Sequence, residues 1–281
     1  MSATKTPAKI NWFLRLKGKR PDGYHDISSL LQCIALFDTL TFEEAQTLSV
    51  MTEAPIAGDE NLVMRAALAI REASKTSRGA RISLVKNIPI AAGLGGGSSD
   101  AAATLRGLNS LWDAGLSERE LQAAALGLGS DVPFFLSGPA ALVRGRGELI
   151  SPVVMRREYS VVLLNPGLRV SAGWAYAEAR SFSGEDKGIE DSLVRALNEG
   201  DFDVLRGAAV NDLEEPVAAR HPEVSELKRR LYEEGALFAA MSGSGPTVFG
   251  AFEDRLRAEE ARRAIRAAWS TVAHTVTVAA E

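Results

Sequence analysis

The chain has 281 residues, 46% of them hydrophobic and 24% charged, enough for about two domains and for a core that needs no disulfide or metal staple. Its 32 basic and 36 acidic residues leave a net charge of −4, which excludes a strongly basic footprint for nucleic acid. A single cysteine, Cys33, excludes an intrachain disulfide, and no apolar run reaches the roughly 18 residues of a membrane span.

Residues Met1 to Lys9 are polar, carry two lysines and lead into no apolar stretch of signal-peptide type, so a cytoplasmic location is expected. From Ile10 to Leu16 the chain alternates, with Ile10, Trp12, Leu14 and Leu16 apolar. Period two predicts a strand with Trp12 in the core and with Lys9 and Asn11 on the opposite face. Lys17 to Gly23 reads as a turn, Asn61 to Ala73 has helical spacing, and Arg81 to Lys86 is a second strand. Next comes a glycine-rich loop, Asn87 to Asp100, running into the alanine- and leucine-rich helical segment that starts at Ala101. Ser98 or Ser99 is the natural N-cap there, and Asp100 suits the positive helix end. Ser117 to Glu120 is a capping box, predicting a helix to about Gly127 that Gly129 to Pro133 ends. Val161 to Leu164 reads as a buried strand stopped by Asn165-Pro166-Gly167. Ile189 to Asn198, Asp203 to Val210 and Pro222 to Glu234 read as helices. A second glycine-serine loop, Ser242 to Pro246, leads to a strand at Thr247 to Ala251. An amphipathic helix follows at Arg255 to Trp269, and a last strand at Thr271 to Val278. The interspersed elements make the class α/β or α+β, with a boundary near residues 150 to 160.

The loop Gly93-Leu94-Gly95-Gly96-Gly97-Ser98-Ser99 is the strongest chemical signal. Glycines let the backbone approach a ligand, and the following helix aims free N–H groups and a positive dipole end at it, so together they form a phosphate cradle. No lysine follows the glycines, so the Walker pattern is absent. The dinucleotide fingerprint lacks its third glycine, and no serine sits in a nucleophile elbow. The three histidines are scattered and show no zinc spacing. Phosphoryl transfer would need positioned charge and one group to deprotonate an acceptor hydroxyl. Asp131, between Gly129-Ser130 and the apolar Val132 to Phe135, is a candidate, and Lys9 is a cation that could keep it ionised. Taken alone, Asp131 reads as a turn or cap aspartate and Lys9 as a solvated surface lysine. Arg144, Arg146, Arg156 and Arg157 read as solvated charge.

Three motifs, in order, resemble the GHMP kinase superfamily, the galacto-, homoserine, mevalonate and phosphomevalonate kinases. They are Pro7-Ala8-Lys9-Ile10-Asn11, the loop from Pro89 to Ser99, and Ser242-Gly243-Ser244-Gly245-Pro246-Thr247-Val248-Phe249-Gly250. Arg20-Pro21-Asp22-Gly23-Tyr24-His25, the triple glycine and Ser130-Asp131-Val132-Pro133-Phe134-Phe135 resemble the branch that phosphorylates a cytidine-diphosphate ester of methylerythritol in isoprenoid precursor synthesis. The resemblance runs from about Lys5 to about Gly250. It implies an α+β, two-domain fold with the active site in the interdomain cleft, an N-terminal ATP-binding domain over 1–152 and a C-terminal domain over 153–281. It implies transfer of the γ-phosphoryl group of ATP to the tertiary 2-hydroxyl of the acceptor, with Asp131 as general base and Lys9 as its partner. Asn61, Lys86, Pro89, Gly93, Leu94, Gly95, Gly96, Gly97, Ser98 and Ser99 fall at ATP-binding positions, and Ser99 at the Mg2+ contact. Asn11, Tyr24, His25, Asp131 and Tyr176 fall at substrate positions, His25 stacking on the base with Tyr176 or Trp174 as the second ring. Ala172 stands where the family usually has threonine. The partner implied is a small-molecule substrate, with no nucleic acid and no membrane, in a monomer or homodimer.

Overall fold

A computed structural model of the chain describes residues 3–56, 61–180, 182–184 and 188–277. The chain opens with two long strands, β1 (Thr4–Lys19) and β2 (His25–Ala45), then β3 (Ser49–Met51), α1 (Leu62–Ala73) and β4 (Gly79–Val85). The glycine loop feeds α2 (Gly96–Leu111), followed by α3 (Glu118–Leu128), α4 (Val132–Ser137), β5 (Ala140–Gly145), β6 (Leu149–Pro152) and β7 (Ser160–Asn165). The helices α5 (Ala172–Glu178), α6 (Ile189–Glu199), α7 (Phe202–Ala208), α8 (Glu214–Arg220) and α9 (Glu223–Glu233) come next. The last elements are β8 (Phe238–Met241), β9 (Val248–Phe252), α10 (Arg255–Ala264) and β10 (Trp269–His274).

These elements form two compact units. The first comprises Met1–Ala8, Leu36–Ile90 and Gly95–Gly138, the second Lys9–Ala35, Ala91–Leu94 and Pro139–Glu281. In the first unit β4 pairs antiparallel with the later half of β2, Thr39 opposite Val85, and parallel with β3. Its core joins Leu40, Ile70, Ile82, Leu105 and Leu108, all fully buried. Helix α2 carries Gly107 where a Cβ would lie 2.5 Å from the Phe42 ring, so glycine there admits the helix against the strand. In the second unit β10, β7, β9 and β8 make an antiparallel sheet in that order, with Trp269 opposite Asn165 and Leu163 opposite Phe249. The earlier half of β2 pairs with β5, Ile27 opposite Gly145. Trp12 is fully buried among the rings of Phe249, Tyr159 and Phe238 at 5.6, 5.9 and 6.0 Å, as a core tryptophan should be.

Several expectations from the sequence change here. β1 continues to Lys19, so the turn is shortened to the residues around Pro21 and Gly23. Helix α10 stops at Ala264 instead of Trp269, because Trp269 to His274 is taken up by pairing with β7, and tertiary pairing overrides helix propensity. The expected end of that strand at Val278 lies outside the described residues. The N-cap of α2 is Gly95, at φ +70°, and Ser98 and Ser99 lie inside the first turn. The capping box at Ser117 and Glu120 is present with both of its bonds. Among the described residues no helix is long and apolar enough to cross a membrane.

Candidate active site

The leading end of α2 carries no side-chain cap. The N–H groups of Gly96, Gly97 and Ser98 precede the first intrahelical bond, from Ser99 N–H to the Gly95 carbonyl at 2.9 Å. A helix end of this kind presents donors and a positive dipole to an anion. Gly97 is exposed, Ser98 half-buried and Ser99 buried. A Cβ on Gly96 would lie 2.9 Å from Ile88 Cγ2 and 3.2 Å from Lys86 Nζ, so glycine is what lets the returning helix close on the segment that enters the loop.

That entering segment is held by charge. The carboxylate of Asp38, fully buried, accepts from the N–H groups of Asn87 and Ile88 at 2.6 and 2.8 Å and from Lys86 Nζ. Lys86 also donates to Asp100 at 2.8 Å, and Thr6 donates to the other Asp100 oxygen at 2.7 Å. Burial raises the Asp100 carboxyl above the ordinary aspartate value; Lys86 opposes that shift and Asp38 adds to it. Lys86 therefore makes ion pairs within the protein at the base of the loop. Asn61 is the N-cap of α1, its Oδ1 accepting from Val63 N–H at 3.0 Å. Pro89 is half-buried and Leu94 buried.

In the second unit, three stretches far apart in sequence meet at Lys9. Its ammonium donates to Asn11 Oδ1 at 2.6 Å and to the Gly93 carbonyl at 2.9 Å. Lys9 is only 3% exposed, which corrects the solvated reading: both faces of β1 are covered here. Asn11 is fixed in turn, its Nδ2 donating to Ser29 Oγ at 2.8 Å, and that hydroxyl donates to the Phe13 carbonyl. Ser242 Oγ donates to the same Gly93 carbonyl at 3.0 Å. Gly243, at φ +56°, brings its backbone so near that a Cβ would lie 2.9 Å from Lys9 Nζ. The first glycine of one loop and the second glycine-serine loop thus enclose a buried ammonium. The repeated Gly-Ser composition marked both loops, but no spacing in the sequence showed that they converge.

Asp131 occupies the N-cap position of α4, half-buried, and its side chain does not cap the helix. The apolar run that follows supplies the buried Val132, Pro133 and Phe134, as the sequence suggested. Asp131 belongs to the first unit and Lys9 to the second. The Cys33 thiol is buried and pushed up to about 12, which removes it as a nucleophile.

A cluster of rings lies elsewhere in the second unit. The half-buried His25 faces Tyr176 at 5.5 Å and 29° between planes, while Trp174 instead meets His221 and Arg220. Burial, with Lys19 adding to it, holds His25 below the ordinary imidazole value, so it is neutral at pH 7. Phe182 also faces His25, at 6.0 Å and 20°, and no motif pointed to it. Tyr24 is exposed, with the Arg146 guanidinium 5.1 Å from its ring centroid. Arg156 and Arg157 are exposed, as expected, whereas Arg144 is paired with Glu190 at 2.7 Å and is not simply solvated. The described residues contain no group of three or more histidine, cysteine or acidic side chains that could hold a metal ion.

Residues 61–139 match the family described as GHMP kinases N terminal domain, and residues 193–271 the family GHMP kinases C terminal. The chain is 38% identical to 4-diphosphocytidyl-2-C-methyl-D-erythritol kinase of Thermodesulfovibrio yellowstonii over 98% of both chains. It is 44% identical to the protein of the same name from Pelotomaculum thermopropionicum over 88% of each. A crystal structure of 4-(cytidine 5'-diphospho)-2C-methyl-D-erythritol kinase matches with a TM-score of 0.83 at 37% identity, covering 98% of this chain and 99% of that one. A mevalonate kinase of L. major, crystallised with R-mevalonate, shares the fold with a TM-score of 0.74 at 15% identity.

Proposed function

The chain belongs to the GHMP kinase family, and from that premise we propose that it transfers the γ-phosphoryl group of ATP to the 2-hydroxyl of 4-diphosphocytidyl-2-C-methyl-D-erythritol, in the non-mevalonate route to isoprenoid precursors. The observation that carries the chemistry is the buried Lys9 ammonium, held 2.9 Å from the carbonyl of the first glycine of the phosphate loop. A fixed positive charge at the start of an anion cradle suits a reaction in which charge builds on transferring oxygens.

In this reading the triphosphate lies against the N–H groups of Gly96, Gly97 and Ser98. Asp131 accepts the proton of the acceptor hydroxyl. Lys9 lowers the cost of the developing alkoxide, while Asn11 orients the acceptor. Ser99, an oxygen donor in the first turn of α2, would hold Mg2+ together with the phosphates, which fits a cation that takes one or two protein oxygens. When bound, the cation would supply charge neutralisation of the phosphates. Asn61 and Lys86 act at the nucleoside end of ATP, Lys86 through the loop that it braces. His25 and Tyr176 receive the cytosine; their contact favours Tyr176 over Trp174 as the second ring. The domains are taken as 1–152 and 153–281, one family segment in each, although the compact units interleave along the chain. The enzyme is read as a cytoplasmic monomer or homodimer.

The reading is tested by incubating the protein with ATP, Mg2+ and the cytidyl substrate and following phosphorus NMR. One new phosphomonoester signal per ADP is expected; ADP without that signal sinks it. A second outcome concerns the base. His25→Ala is expected to raise KM for the cytidyl substrate by roughly 5–100-fold and to leave kcat nearly unchanged, because stacking is made in ground and transition states alike. A collapsed kcat at unchanged KM contradicts it. The lowered His25 value also gives a sign for stability. Below the ordinary value of 6.5 the unfolded chain takes up this proton first, so the contribution of His25 falls as pH drops from 6.5 through its folded value.

A further inference from the structure

Phe182 is 45% exposed, yet its position is fixed. The residue after it, Ser183, donates both its N–H and its hydroxyl to the carboxylate of Asp212, at 3.1 and 2.6 Å. The same carboxylate accepts from Leu16 N–H at 2.7 Å on β1, and the Asp212 N–H donates to the Leu14 carbonyl at 2.9 Å. Gly184 N–H reaches the Leu16 carbonyl at 3.4 Å. One carboxylate thus fastens an irregular segment to β1 and sets the ring beside it against His25, in the near-parallel geometry that aromatic pairs favour. Little core is gained by this. An ordered, half-exposed phenylalanine whose neighbouring ring is a half-buried neutral imidazole is placed to meet a flat ligand.

We propose that Phe182 is a further ring of the nucleobase site, and that Asp212 is its positioning residue, acting through Ser183. The inference rests on the cytidine reading and deepens it. His25 then has a partner ring in both Tyr176 and Phe182. At 5.5 Å between centroids, His25 and Tyr176 are in contact with each other, leaving no layer for a base between them, so the incoming pyrimidine must part that contact or lie on another ring face. Phe182 supplies such a face, and base stacking on a ring tolerates any pyrimidine while discriminating against substrates that lack one.

The test measures CDP affinity by calorimetry, and KM and kcat with the cytidyl substrate, for the wild type, Phe182→Leu, Phe182→Ala, Asp212→Asn and the Phe182→Ala/Asp212→Asn pair. Both Phe182 variants are expected to weaken CDP and raise KM for the cytidyl substrate by roughly 5–100-fold, with kcat and the KM for ATP held within about twofold. Asp212→Asn should give a smaller rise of the same kind and no further rise in the Phe182→Ala background, since a residue acting through another is not additive with it. A Phe182→Leu protein with wild-type affinity overturns the inference while the cytidine reading stands. Independent, additive effects overturn the role given to Asp212. Absence of CDP affinity in the wild type overturns the reading and the inference together.

Discussion

Asp131→Ala is expected to lower kcat by roughly 10²–10⁴, the usual worth of a general base, with KM for ATP nearly unchanged. The residue caps no backbone group of α4, so its removal costs that helix no side-chain cap. Val132, Phe134 and Leu136 are buried and hold the helix through packing. Thermal melting beside single-turnover transfer separates loss of rate from loss of fold. Asp131→Asn keeps the shape and removes the basicity, so it should fall nearly as far. A single-turnover rate for Asp131→Asn equal to that of the wild type would remove the proton from the Asp131 account.

Gly93→Ala should be more damaging to the molecule as a whole. Gly93 has φ +76°, where an alanine costs roughly 1–2 kcal/mol. The added Cβ would also lie 2.2 Å from the Ser242 carbonyl oxygen and 3.0 Å from Gly245 N, both backbone atoms that cannot step aside. Overpacking adds about 1–3 kcal/mol, so a total of about 2–5 kcal/mol is expected as a lowered Tm. The strain falls on the carbonyl that Lys9 and Ser242 share, so kcat should fall as well. Gly207→Ala in α7 is the control: its Cβ meets nothing within 4 Å, and the change should be neutral or stabilising. Equal melting of the Gly93 and Gly207 variants would show that the backbone about Gly93 can yield.

The sequence was most legible where local chemistry decides structure. The capping box of α3 and the apolar spacing of α1 depend on neighbours a few residues away, and both helices lie where the spacing put them. The glycine loop was legible as the entry to a helix because its conformation is that of its own backbone. β2 was not, since its 21 residues include the buried polar Ser28, Ser29, Gln32 and Asp38, which erase alternation in a strand covered on both sides. The N-cap of α2 was misplaced for a related reason. Serine is the better cap in general, but Gly95 in a left-handed conformation turns the chain sharply and leaves the serines inside the helix. Of the site, the motifs named Lys9, Asn11 and Gly93, yet only the fold reveals that the loop at Ser242 and Gly243 encloses them. Asp38, Asp212 and Phe182 carried no local signal, because their roles are fixed by partners dozens to hundreds of positions distant.

The unsealed tip of α2 has a thermodynamic consequence. Helices such as α1, α3 and α5 close themselves with a residue of their own; α2 does not. On the kinase reading, nucleotide completes the coil, so occupancy and rigidity rise together by mass action, and a starved cell would hold a looser, more protease-sensitive form of the enzyme than a well-fed one.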